Sequence, residues 1–341
     1  MIDKTKINGF IIESIDFNKL EKMSDRVELN PNGFYYLSDG KSFKSLKITD
    51  NRLFKTLIAG YDGCITYAFI ELSVSLWQGN NLNSLSINEY REQLIKVFEY
   101  LKTKYGVKCS ELDNIKFKYL ELNTTFQLEH DWRQYVRILQ ILMLLAPKPY
   151  NKGGVWVDRT ADTIDTLNIK NQSIEVIIYN KTKQLKDIRN TDVVTDLMRV
   201  EYKFLKSKKI EDTFNTKKIS ELSDEMFKKF FIRQFTKDFI NPYYKLKKSN
   251  LSKLKKLIRD YKTEYGVRWF GKIKDYFWGV ETERIKPILL DTVDFFEAIK
   301  SILKNNRKYY QKKVLNDFPY GYLSQHEKAE EVFSKIQSVL N

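Results

Sequence analysis

The sequence predicts an α+β protein: a sheet with helices on one face over residues 1–210, then a basic α-helical region over residues 211–341. Three observations carry this. Four segments alternate apolar and polar residues with the period of a strand. Two of them are each followed by a segment with the period of a helix, an order that fits a mixed sheet covered on one side. Nearly all of the excess positive charge falls in the C-terminal part, which also reads as helical.

The chain has 341 residues, enough for one large domain or two ordinary ones. Lys and Arg number 59 against 44 Asp and Glu, for a net charge of +15. Between residues 206 and 313 there are 28 basic and 14 acidic side chains, so +14 of the excess lies there and +1 everywhere else. A polyanionic partner follows from that excess, and phosphate contact along the helical region is its natural form. With 42% hydrophobic residues, 13 Gly and 6 Pro, disorder and low complexity are excluded. Two cysteines, Cys64 and Cys109, exclude a disulfide framework and a cysteine-rich zinc site. The two histidines, His130 and His326, lie far apart and argue against an imidazole-rich metal centre. The start MIDKTKING lacks the apolar core of a signal peptide, and the most apolar run, residues 138–146, is about half a membrane span. The expectation is a soluble, cytoplasmic protein of a bacterial host with no membrane partner.

Taken in chain order, 69-FIELSVSL sets Ile70, Leu72, Val74 and Leu76 against Phe69, Glu71, Ser73 and Ser75. Ser86 and Glu89 have the spacing of a capping box, and Ile87, Tyr90, Leu94, Val97, Phe98 and Leu101 continue it as a helix up to Gly106. In 119-YLELNTTF, Leu120, Leu122 and Phe126 oppose Tyr119, Glu121, Asn123 and Thr125. A helix runs from about residue 131 to 146 and is ended by Pro147. Residues 154–166 show no assignable period. In 174-IEVIIY, Ile174, Val176 and Ile178 oppose Glu175, Ile177 and Tyr179; in 198-MRVEYKF, Met198, Val200, Tyr202 and Phe204 oppose Arg199, Glu201 and Lys203. Further on, Leu222, Met226, Phe230 and Phe231 are spaced as a helix, as are Leu251, Leu254, Leu257, Ile258 and Tyr261, with Gly266 as a stop.

Each strand thus has one apolar face, and all four carry a glutamate on the other, joined in one strand by a tyrosine at its end. If the strands share a sheet, Glu71, Glu121, Glu201 and Tyr179 converge on its open side. The plainer alternative is ordinary alternation with glutamates facing water. Converging carboxylates bind a hard cation such as Mg²⁺ or Mn²⁺ through oxygen. Such a cation offsets charge on a phosphodiester that a tyrosine oxygen attacks. Lys181 and Lys183 would neutralise the phosphate or lower the tyrosine pKa.

The segment 177-IIYNKTKQLKD, followed at 198 by MRVEYKFLKSKK, resembles rolling-circle replication initiators, in particular the Rep_trans plasmid initiators. The strand 119-YLELNTTFQL resembles the acidic strand before the nucleophile in that family and in filamentous-phage gene II-type replication proteins of the HUH-like superfamily. The likeness covers about residues 65–210. It implies a ferredoxin-like antiparallel sheet of the HUH endonuclease type. It also implies that Tyr179 is the nucleophile, assisted by Lys181 and Lys183, with Glu121 and Glu201, and less specifically Glu71, around Mg²⁺ or Mn²⁺. Arg199 and Lys203, with Lys253 and Lys256 of the basic helices, are candidate DNA contacts. Two departures stand out: Thr182 and Gln184 replace the usual basic and acidic neighbours, and the His-hydrophobe-His motif is absent, so a metal site would be built from carboxylates.

The implied activity is nicking and joining of a single-stranded or hairpin DNA origin to initiate rolling-circle replication of a plasmid or phage. The 5′-phosphate would stay on Tyr179 while the basic region holds adjacent duplex or recruits a host helicase. The rival readings are a relaxase or transposase-like strand transferase, and a non-catalytic single-stranded nucleic-acid-binding protein that stacks bases on Phe69 and Tyr119.

Overall fold

The structure is a computed structural model that describes all residues except 24, 31–43, 63, 79–83, 111, 148–149, 151–154, 159–162, 190–194, 279–286, 318–323 and 341. Its strands, in chain order, are β1 (Ile2–Asn8), β2 (Ile11–Ile15), β3 (Val27–Asn30), β4 (Lys44–Thr49), β5 (Thr56–Asp62), β6 (Cys64–Ser73), β7 (Val107–Ser110), β8 (Lys116–Gln127), β9 (Val155–Asp158), β10 (Thr163–Lys170), β11 (Ile174–Asn180) and β12 (Leu197–Phe204). The helices are α1 (Phe17–Glu21), α2 (Val74–Gln78), α3 (Ile87–Tyr100), α4 (Val136–Leu145), α5 (Lys181–Arg189), α6 (Ser207–Phe214), α7 (Asp224–Phe235), α8 (Asn241–Tyr265), α9 (Trp269–Trp278), α10 (Thr292–Ile302), α11 (Arg307–Asp317) and α12 (Gln325–Leu340). The fold is α+β with a large antiparallel sheet.

Where the sequence suggested one division near residue 210, the chain forms two compact units whose segments interleave. Unit 1 comprises Met1–Thr124, Gln172–Val176 and Glu201–Phe230; unit 2 comprises Thr125–Asn171, Ile177–Val200 and Phe231–Asn341.

In unit 1 the strands follow the order β3-β4-β5-β6-β1-β8, then the end of β12 and the beginning of β11. The pairings from β3 to β8 are antiparallel, and β2 and β7 form a separate antiparallel pair. Lys6 of β1 stands opposite Glu71 of β6 on one side and Tyr119 of β8 on the other, which puts the three in one row. The apolar face is formed as the alternation predicts: Ile70, Leu72, Leu120 and Leu122 are fully buried. Tyr90 of α3 ties that helix to the sheet. Its hydroxyl shares a 2.6 Å hydrogen bond with Thr5 Oγ1, and its ring centroid lies 5.5 Å from that of Phe117. The segment 69-FIELSVSL is not strand throughout: it ends at Ser73, and Val74 opens α2, where Trp77 donates from Nε1 to the Leu53 carbonyl.

The capping box at α3 is present. The Glu89 amide donates to Ser86 Oγ at 3.2 Å, and the Ser86 amide donates to Glu89 Oε2 at 2.8 Å. Ser86→Ala should therefore cost about 1 kcal/mol, read as a lower urea midpoint with an unchanged slope. At the other end, Gly106 takes a left-handed φ of 65° after a π turn over Leu101–Tyr105. A Cβ there would meet Asp16 Cβ at 2.6 Å, so only glycine fits the stop.

Unit 2 contains the end of β8, then the remaining parts of β12 and β11, then β10 and β9, in that order across the sheet. The period-free segment 154–166 falls partly on β9 and β10, which pair antiparallel; residues 154 and 159–162 lie outside the described residues. The apolar run at 138–146 falls largely on α4, where residues 137–143 are all buried, as the helix's apolar character on most sides requires. Among the described residues no helix is long and apolar enough to cross a membrane. Helices α8 to α11 enclose a second core in which Leu254, Leu257, Ile258, Trp269, Ile273 and Phe295 are buried. Helix α8 runs 25 residues with Pro242 in its first turn and ends at Gly266, where φ is 53°.

Candidate active site

The polar side of unit 1 carries a buried cluster. Glu121 on β8 is 3% exposed and Glu201 on β12 is 5% exposed, so neither faces water as plain alternation would have it. One ammonium joins them: Lys203 Nζ lies 3.5 Å from Glu121 Oε1 and 3.5 Å from Glu201 Oε2. The Tyr119 hydroxyl donates to Glu121 Oε1. Strand geometry builds this set, because residues two apart share a face: Tyr119 with Glu121 on β8, and Glu201 with Lys203 on β12. Further along β8, Asn123 Nδ2 donates to Asp3 Oδ2 at 3.3 Å, and both residues are buried.

The electrostatics of the cluster are unbalanced. Burial, and then the charge of Glu201, push the Glu121 carboxyl above its ordinary range, against the pull of Lys203, the Tyr119 hydroxyl and Lys4. Burial pushes the Tyr119 phenol far up, and the carboxylates of Glu121, Glu201 and Glu175 push it further, so it stays protonated at neutral pH. Burial pulls the Lys203 ammonium down, but Glu201, Glu121 and Glu175 outweigh it and hold the proton more tightly than usual. Three glutamates thus act on a site where Lys203 and Lys4 are the nearby cations.

The candidate metal residues are partly assembled. Glu121 and Glu201 come together and offer hard oxygen donors, with Lys203 already between them. Glu71 does not join them. It stands two strands from β8, roughly 10 Å away at ordinary strand spacing, and pairs with Lys6 at 3.2 Å while 33% exposed. Lys203, expected to contact DNA, instead sits inside the carboxylate cluster with its side chain 18% exposed. What the sequence reading did not find is the central place of Lys203 and the part played by Tyr119, Glu175 and Lys4. The spacings Tyr-x-Glu and Glu-x-Lys carry the first two in retrospect; Lys4 lies on a strand that carried no signal.

Unit 2 holds the tyrosine segment. Tyr179 lies at the end of β11 and is buried, with the Lys181 Nζ 5.8 Å from its ring centroid. The chain turns at once into α5, where Asn180 Oδ1 accepts from the Lys183 amide at 3.0 Å and caps the first turn. Lys181 is fully buried and donates to Gln184 Oε1 at 2.7 Å, and Lys183 pairs with Asp165. Thr182 stitches α5 to the approach to β12: its hydroxyl donates to the Thr195 carbonyl and accepts from the Leu197 amide, both at 2.7 Å. The two departures from the initiator motif therefore have local work, Gln184 holding an ammonium and Thr182 a backbone. Arg199, also expected on DNA, is fully buried and donates from Nε to Thr125 Oγ1 at 2.7 Å. Of the C-terminal candidates, Lys256 is exposed and Lys253 is half-buried, its Nζ 3.5 Å from the Pro287 carbonyl.

Glu129, His130 and Glu331 also bring ligand atoms within 4.8 Å of one another. Their oxygens are engaged already: Glu331 accepts from the Tyr135 hydroxyl and the Glu129 amide, and Glu129 pairs with Lys335 at 3.3 Å.

No family model matches the chain and no curated protein matches it.

Proposed function

We propose that the chain is a DNA nicking and joining enzyme of the rolling-circle initiator kind, working through a covalent phosphotyrosine on Tyr179. The observation that carries this reading is the pair of buried glutamates, Glu121 and Glu201, flanking one lysine on adjacent strands. Burying like charges together costs stability unless they are paired, and carboxylates perturbed in this way cluster at functional sites. The HUH-type sheet is part of the same proposal.

Tyr179 supplies the nucleophilic oxygen. Its phenolic proton goes to solvent as the oxygen bonds to phosphorus, the bond from phosphorus to the 3′-oxygen breaks, that oxygen takes a proton from water, and the 5′-phosphate stays on the tyrosine. Lys181, whose ammonium lies 5.8 Å from the centre of that ring, supplies positive charge beside it. Glu121 and Glu201 would hold Mg²⁺ or Mn²⁺, which supplies charge neutralisation at a phosphodiester. Lys203 keeps the two carboxylates at a fixed separation. The basic C-terminal helices hold the DNA. A relaxase or transposase-like strand transferase would use the same groups on a different DNA.

The test is incubation with supercoiled DNA carrying the chain's own gene and flanks, in Mg²⁺ or Mn²⁺. Glu121→Gln and Glu201→Gln should each slow nicking roughly 100-fold or more, a loss of several kcal/mol of transition-state stabilisation, while DNA affinity changes little. Normal cleavage by both variants would remove the carboxylates from the chemistry. A non-catalytic nucleic-acid-binding protein is the second reading, favoured by the 7% exposure of Tyr179. It requires that the wild-type chain bind without nicking.

A further inference from the structure

We infer that one face of α8 in unit 2 is a track for the phosphate backbone of single-stranded DNA. The choice of DNA rests on the reading above; the track itself rests on geometry. A groove of about 530 Å³ is lined by Lys237, Asn241, Lys245, Ser249 and Lys253, with Leu145, Pro242 and Leu246 as apolar walls. The five polar residues recur at every fourth position, from the π turn Thr236–Ile240 into α8, and so form one stripe along the helix. Among the described residues no acidic side chain lines the groove. Lys237 and Lys245 are exposed, and among the described residues neither ammonium has an ion pair.

The chemistry fits a phosphodiester chain. Lysines are point charges that suit phosphate without reading sequence. Eight residues of helix rise about 12 Å, so Lys237, Lys245 and Lys253 each meet a different phosphate. Asn241 lies between them as a hydrogen-bond donor, while the Ser249 hydroxyl already donates to the Leu246 carbonyl at 3.0 Å, and the apolar walls suit sugar or base faces. The groove has the volume of a small-ligand cleft, which admits a strand one nucleotide wide. A duplex would reach only its rim. Binding is therefore sequence-tolerant and strongly salt-dependent.

The test uses the full chain and a fluorescent twenty-nucleotide oligo-dT, titrated by anisotropy across a series of salt concentrations. The triple variant Lys237→Gln, Lys245→Gln, Lys253→Gln should weaken binding at low salt about tenfold or more. It should also reduce the slope of log affinity against log salt by about 2, or about 0.7 per lost phosphate contact. A charge-matched variant at exposed positions of unit 1, Lys22→Gln, Lys96→Gln, Lys102→Gln, should keep the wild-type slope. An unchanged slope in the first triple, an equal loss in both, or a loss seen only with duplex or with free thymidine monophosphate would each overturn the track. Oligo-dT carries no origin and the readout is binding, so failure here leaves the nicking proposal standing. Absence of nicking likewise leaves the track intact.

Discussion

Tyr179→Phe is expected to abolish nicking and covalent attachment, lowering the cleavage rate by more than about 10³-fold, the scale on which loss of a nucleophile falls. The substitution removes one oxygen and keeps the ring, so the contact with Lys181 and the packing at the end of β11 remain. Affinity for DNA should stay within about twofold, since the basic helices that supply most of the charge are untouched. The adduct can be located directly: after reaction with labelled DNA and proteolysis, the phosphotyrosine should map to the peptide containing residues 174–180. An adduct on Tyr119 instead would make that hydroxyl, which donates to Glu121, the nucleophile in place of Tyr179.

Lys203→Met is expected to destabilise the fold by about 3–5 kcal/mol at neutral pH, the usual result of removing one partner from a buried charge cluster. Glu121 and Glu201 would then be left buried beside each other without the ammonium that lies 3.5 Å from each. The loss should depend on pH, and its sign follows from the shifts. The Glu121 carboxyl is raised above its ordinary 4.5, so the native state holds a proton that the unfolded chain releases. Stability from that source is present at low pH and is lost as pH rises through the folded value. Without Lys203 the carboxyl rises further, so the variant should approach wild type near pH 4.5 and fall away from it toward pH 8. In the wild type, the raised Lys203 pKa keeps its contribution through the ordinary value of 10.5 and loses it only above that. Urea melts at several pH values provide the check; a loss of equal size at every pH would mean lost packing rather than lost charge.

Local structure was legible where one residue's neighbours in sequence are also its neighbours in space. The capping box at Ser86, the stop at Gly106, the apolar faces of β6 and β8 and the end of α8 at Gly266 all follow from short spacings. The end of β6 was misplaced because Val74 continues the apolar alternation, and it remains buried after the chain has turned into α2. Strand order was not legible at all. Nothing in residues 2–8 announces a strand that lies between β6 and β8. The site divides along the same line. The glutamates on one strand face could be named from alternation, but whether they meet depends on which strands are adjacent. That is why Glu121 and Glu201 share an ammonium while Glu71 pairs with Lys6. Lys203 and Arg199 read as surface cations because basic residues usually are, but Arg199 is buried and Lys203 half-buried, each held by a partner from elsewhere in the chain.

The position of β1 bears on how the molecule reaches its native state. Lys6 pairs with residues 65 and 113 positions later in the chain, so β1 is made long before its neighbours. Loops of that length must close before the sheet gains stability, which slows folding relative to a protein built from local hairpins. Until β8 has been made, residues 2–8 have an unpaired edge on which another chain can add a strand, and unit 1 is exposed to misassembly during that interval.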